Sequence, residues 1–155
     1  MLSTIHEEEE THQKPYAEEL PKKKESRKQR NILVVDDDYE LAHYIHGCLT
    51  SNIEHIQVVV VGSAAEALSQ IKEKVPDILM ADLVMPEMDG FQLLAELETM
   101  NILAQMKVMV ITGKEFSYAD LVHLRKLKVT GILYKPFDSQ KLVAKVQKII
   151  KNEEV

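Results

Sequence analysis

Four stretches of this 155-residue sequence set polar residues with joint chemical potential directly behind apolar runs. Asp36 and Asp37 follow "ILVV", Asp82 follows "DILMA", Thr112 follows "VMVI" and Lys135 follows "GILY". Two carboxylates about 4 Å apart repel by roughly 4 kcal/mol at an effective dielectric near 20, so a fold that gathers them usually does so around a cation. Three carboxylates suit an oxygen-loving divalent ion, a hydroxyl can donate to an anion, and an ammonium can neutralise one. Together they describe metal-assisted phosphoryl transfer to a carboxylate, with Asp36 and Asp37 holding Mg2+. Asp82 is the nucleophile candidate, because "DILMA" fixes it at a strand end and the loop "LVMPEMDG" leaves it open. The metal would offset the repulsion between the incoming phosphoryl group and the carboxylates. Each residue alone also has a plain reading: an aspartate run as a helix N-cap, Thr112 as a turn residue, Lys135 as a solvated charge. Their placement at four different strand ends gives them weight as a set.

That placement depends on the elements around them. From Asn31 onward, "NILVVD", "IQVVVV", "DILMAD", "MKVMVIT" and "GILY" alternate with helix-like segments at 38–51, 63–74, 89–100, 116–127 and 138–151. Five β-then-α units imply an α/β fold with a parallel sheet covered by helices on both faces. Right-handed crossovers bring all strand C-termini to one edge, and ligands bind there where strand order reverses. Leu142, Val143, Val146, Ile149 and Ile150 mark the last helix at helical spacing, with Asp138 as its N-cap. Asp89 and Gln92 predict a capping box for the third helix, and Gly90 eases the preceding turn. In the fourth helix Tyr118, Leu121, Val122 and Leu124 define no narrow face, so this helix is expected to be the most mobile.

Composition narrows the function classes. Hydrophobic residues at 45% and charged ones at 28% are those of a globular domain, and 5% aromatics without Trp leave the core to aliphatic side chains. A net charge of −6 argues against a nucleic-acid partner. Residues 1–30 hold seven acidic and seven basic residues and few apolar ones, which predicts a flexible charged tail; the net charge then belongs to residues 31–155. The basic run from Lys22 to Arg30 reads as a solvated linker. A lone cysteine, Cys48, reads as a small buried apolar residue of a helix, in a reducing setting. With no signal-peptide run and no stretch of about 18 apolar residues, a cytoplasmic protein without a membrane span is expected. His43 and His46 lack a neighbouring Cys or acid to complete a metal set, and His55 and His123 read as surface or packing residues.

The motifs "VVDDD", "DLVMPEMDG", "VITG" and "YKPF" together resemble the receiver domains of two-component response regulators, over about Asn31 to Lys151. The resemblance implies a doubly wound, flavodoxin-like sheet of order 2-1-3-4-5 with five helices, spanning residues 31–152. It also implies that Asp82 is the phospho-acceptor. Asp36 and Asp37 would serve Mg2+ together with Asp82 and the main-chain carbonyl of Val84, while Thr112 and Lys135 contact the phosphoryl group. The bond before Pro136 would be cis, although base rates alone favour trans. The phosphoryl donor would be a histidine kinase or a histidine phosphotransfer protein. The face formed by the fourth helix, fifth strand and fifth helix would signal to a downstream protein, the chain being a monomer or weak homodimer.

Two departures from the pattern stand out. Ile132 occupies the position, three before the lysine, where such domains often carry Tyr or Phe, so the switch would use Ile132 repacking or Tyr134 on the same strand face. Val84 and Lys114 lie two residues beyond Asp82 and Thr112, and an apolar Val84 cannot orient water, which predicts slow self-dephosphorylation. Only "NEEV" follows the last helix, which reads as a stand-alone switch rather than an enzyme. Rival readings are a phosphorylation-independent interaction module, a fragment of a longer regulator or hybrid kinase, and a phosphatase. The last lacks the second aspartate two residues past the nucleophile, where Val84 stands.

Overall fold

A computed structural model describes residues 28–153. The expected flexible tail lies, up to residue 27, outside the described residues. The chain runs β1 (Arg30–Val35), α1 (Tyr39–Asn52), β2 (Ile56–Val61), α2 (Ala64–Glu73), β3 (Ile78–Asp82), α3 (Gly90–Thr99), a short 3-10 turn (Leu103–Gln105), β4 (Lys107–Thr112), α4 (Tyr118–Lys126), β5 (Gly131–Tyr134) and α5 (Ser139–Glu153). The strands form one parallel sheet in the order β2-β1-β3-β4-β5. Sheet order and helix number match the sequence expectation; the 3-10 turn was not foreseen.

The unbroken apolar runs of the inner strands follow from burial on both faces. Ile32, Val34, Ile78, Met80, Met109 and Ile111 share a core with Ile45 and Leu49 of α1 and Leu142, Val146 and Ile149 of α5. Their alternates Leu33, Val35, Leu79, Ala81, Val108 and Val110 share the other with α2, α3 and α4, through Ala67, Ile71, Leu93, Leu97 and Leu124. Side chains alternate faces along a strand, so one sequence run feeds two cores. Each large apolar side chain so buried contributes about 1.5–3 kcal/mol. Cys48 packs at the margin of the α1/α5 core, as its composition suggested. Among the described residues no helix is long and apolar enough to cross a membrane.

Side-chain caps set where the helices begin. Asp38 Oδ1 accepts the Leu41 N–H at 3.1 Å, so one of the three consecutive aspartates is indeed an N-cap. Asp89 and Gln92 form the predicted capping box at α3, and Asp138 caps α5 by accepting the Lys141 N–H at 2.8 Å. A second capping box, Ser117 with Asp120, opens α4. Within its own span α4 buries only Leu124. Asn101 and Lys128, both at positive φ, close α3 and α4; the N–H groups of Ile102 and Val129 reach back to Leu97 and Leu124 carbonyls. At the strands' N-terminal edge, Lys107, Lys126 and Lys128 line a cavity of about 380 Å³ with Leu103 and Met106.

Gly90 begins α3 against the end of β3. Its N–H donates to the Leu83 carbonyl at 3.1 Å, and a Cβ here would meet the Asp82 carbonyl oxygen and stand 2.7 Å from Leu83 Cα. Gly90→Ala is therefore expected to lower stability by about 1–3 kcal/mol in a urea unfolding curve, because backbone rather than a flexible side chain must move. An unchanged midpoint would mean that α3 can back away from β3.

Candidate functional site

The sheet order turns four separate strand ends into one site. Val35 pairs with Ala81, so Asp36 and Asp82 leave neighbouring strands at the same level. Asp82 pairs with Ile111, and Thr112 with Tyr134, which extends the same edge across β4 and β5. Lys135 then reaches back over β4: its Nζ lies 2.9 Å from Asp82 Oδ2 and 3.1 Å from Asp36 Oδ2. Asp36, Asp82 and Thr112, at 1%, 4% and 0% exposure, are the buried polar side chains among the described residues. Sequence reasoning had named all three, together with Lys135, but not the lysine's double contact.

Each buried carboxylate is also held by main chain. Asp36 Oδ1 accepts the Asp38 N–H at 2.9 Å, and Asp82 Oδ1 accepts the Val84 N–H at 3.0 Å. Burial pushes the Asp36 carboxyl above its ordinary range, against the pull of the Asp38 N–H and of Lys135. For Lys135 burial disfavours the ammonium, but the hydrogen bonds and charges of Asp82 and Asp36 outweigh it and hold the group protonated beyond its usual range. Asp37 is exposed at the mouth, and one oxygen each of Asp36, Asp37 and Asp82 lie within 4.8 Å of one another. Three carboxylates against one ammonium leave two negative charges, which matches one hard divalent cation bound through oxygen. The donor set thus fits Mg2+.

The other predicted residues fall around this centre. Thr112 Oγ1 accepts the Lys114 N–H at 3.0 Å. The Lys135–Pro136 bond is cis, as the resemblance implied. Val84 is 60% exposed beside Asp82. Ile132 packs, half-buried, against the core under α2, α3 and α4, whereas Tyr134 is half-exposed with its ring edge-on to Phe116 at 5.9 Å. No histidine joins the carboxylate cluster among the described residues; His43 packs edge-on to Tyr39 at 4.5 Å and His123 stacks on Phe91 at 5.2 Å. Sequence reasoning missed the link from Lys114 to Asp120, 3.7 Å apart, for which the Ser117-to-Asp120 spacing is the only trace.

Comparisons with known proteins agree with this geometry. Residues 32–147 match the family described as response regulator receiver domain. The chain is 32% identical over 122 residues to the sensor histidine kinase TmoS of Ectopseudomonas mendocina, covering 79% of this chain and 12% of that protein. It is also 32% identical over 120 residues to the transcriptional regulatory protein CiaR of Streptococcus pneumoniae, covering 77% of this chain and 51% of that one. The chain therefore spans about half or less of these relatives. Among solved structures, the receiver domain of a Francisella response regulator superposes with a TM-score of 0.70 at 28% identity, over 81% of this chain and 99% of that one.

The crowding of carboxylates makes a stability prediction. Asp37→Asn is expected to raise stability near neutral pH without divalent ions, by about 0.5–1 kcal/mol for one exposed charge. The same variant should gain less from millimolar Mg2+ than the parent does. Urea unfolding of both proteins with and without Mg2+ reads both effects, and equal Mg2+ gains would remove Asp37 from the cation set.

Proposed function

The chain belongs to the response regulator receiver domain family, and on that premise we propose that residues 31–152 form a phosphorylation-dependent switch taking its phosphoryl group on Asp82. Domains of this family are signalling modules rather than conventional enzymes. The observation that carries the proposal is the Lys135 ammonium between the buried Asp36 and Asp82 carboxylates, with Asp37 at the mouth. The donor is the phosphohistidine of a histidine kinase or a histidine phosphotransfer protein.

The chain's residues divide the work. Main-chain and lysine contacts hold the Asp82 carboxylate in one orientation, so that little ordering remains for the transition state. An Asp82 oxygen forms the new bond to phosphorus as the phosphorus–nitrogen bond of the donor breaks, and the imidazole leaves with that electron pair. Lys135 then offsets charge on the phosphoryl oxygens and the Thr112 hydroxyl donates to one of them. Mg2+ held by Asp36, Asp37, Asp82 and the Val84 main-chain carbonyl would offset the charge that the incoming phosphoryl group brings.

Thr112 movement passes outward through β5. Ile132, half-buried under α4, and Tyr134, against Phe116 of the β4–α4 loop, are the switch side chains. The face built from α4, β5 and α5, with Tyr118, Leu121 and Tyr134 exposed, meets a downstream protein. The setting is cytoplasmic, the chain a monomer or weak homodimer, and nucleic acid is not a partner.

Incubation with acetyl phosphate and Mg2+ should give a single phosphoryl adduct in the intact mass. The adduct should need Mg2+ and be lost in Asp82→Asn. No adduct from acetyl phosphate or from a phosphorylated phosphotransfer protein would favour the phosphorylation-independent module. Once formed, the adduct should outlast removal of acetyl phosphate by minutes rather than seconds, because Val84 offers no group to orient an attacking water. Decay within seconds would assign that task to another residue.

A further inference from the structure

A chain of contacts in the β4–α4 loop starts at Thr112 and ends on the first turn of α4. Thr112 Oγ1 accepts the Lys114 N–H at 3.0 Å, and Lys114 Nζ stands 3.7 Å from Asp120 Oδ2. That same oxygen accepts the Ser117 N–H at 3.0 Å, while Ser117 Oγ accepts the Asp120 N–H at 3.1 Å. One lysine thus has its backbone on the site and its ammonium on the helix cap. The Asp120 carboxyl lies below its ordinary range, chiefly through the Ser117 N–H, with Lys114 adding to it. Since α4 buries only Leu124 within its span, these polar contacts carry much of what fixes its first turn.

We propose that Lys114 is a positioning residue linking the phosphorylation site to α4: its ammonium rests on Asp120 while Asp82 is unmodified, and moves to the phosphoryl group once Asp82 carries one. This rests on the phosphorylation of Asp82 proposed above. A hydroxyl has one proton and two lone pairs, so Thr112 can donate to the phosphoryl group while its oxygen still accepts from Lys114. The lysine is thereby kept next to the new anion. A phosphoryl group carries about −1.5 to −2 charges and three acceptor oxygens, which outbids one carboxylate that already serves a capping box. Lys114 is partly exposed and its ion pair is long, so leaving Asp120 costs little. The departure removes one partner from the α4 cap and loosens that end of the helix.

The test is amide exchange by NMR at Leu121, whose N–H is bonded to the Ser117 carbonyl at 3.2 Å. Phosphoryl occupancy is read by intact mass on the same samples, with the chain as it is and with Lys114→Ala, Lys114→Arg and Asp120→Asn. Unphosphorylated Lys114→Ala and Asp120→Asn should exchange roughly two- to fivefold faster than the parent, the measure of one surface ion pair. Phosphorylation should produce that acceleration in the parent and in Lys114→Arg, and add nothing in Lys114→Ala. Equal acceleration in phosphorylated Lys114→Ala, or none in the phosphorylated parent, would overturn the link and leave the phosphorylation reading standing. Absence of any adduct in the parent would instead overturn that reading, and the link with it.

Discussion

Two carboxylates buried on neighbouring strand ends stay ionised together most readily with a cation between them, and here that cation is Lys135. Most of the fold can be seen as the means of putting it there. The lysine leaves β5, yet it must span β4 to reach Asp82 on β3 and Asp36 on β1, so all four strands have to end at one level. Removing one partner from a fully buried pair costs about 3–5 kcal/mol; Lys135 keeps a quarter of its side chain in solvent, which lowers that figure for this site. The arrangement therefore organises the site more than it strengthens the fold. One ammonium also does not balance three acids, and that shortfall makes the mouth at Asp37 receptive to a divalent ion.

The strand and helix alternation was legible because both faces of the sheet are covered. Runs such as "ILVV" carry apolar residues at every position, and the polar residue that follows each run marks the edge where the site lies. Asp36, Asp82 and Thr112 were legible for the same reason, each being the first residue of its run whose burial has to be justified by chemistry, and the part-buried Lys135 stands at the matching place after β5. Single-sequence reasoning lost the details that depend on approach in three dimensions. Gly90 reads as a turn residue, but its lack of a side chain is needed for contact with the Asp82 and Leu83 backbone. The left-handed positions could not be found from glycine, since His55, Glu87, Asn101 and Lys128 hold them and no glycine does. A side chain at such a position costs roughly 1–2 kcal/mol more than glycine would, and at Asn101 and Lys128 the returning N–H bonds of the helix ends offset part of it. The α4 capping box was hidden because an aspartate, rather than the usual Glu or Gln, sits at its third position.

The helices on the sheet are anchored unequally. Leu142, Val146 and Ile149 of α5 and Ala42, Ile45 and Leu49 of α1 are buried, so those helices are held by two or three large apolar side chains each. Across the sheet α4 has Leu124 within its span and Leu127 just beyond. A helix held by one or two side chains and a cap can respond to changes in charge at the strand ends that α1 and α5 would resist.

Lysines and carboxylates gather at different ends of the sheet. Lys107, Lys126 and Lys128 stand at the strands' N-terminal end, while Asp36, Asp37 and Asp82 crowd the opposite one. The reactive edge itself stays locally negative, because the Lys135 ammonium answers only part of the charge of three carboxylates. A basic docking surface drifting nearby would be drawn to this edge before contact. Added salt would slow such encounters by shortening the distance over which that attraction acts, while leaving the contacts made afterwards largely unchanged.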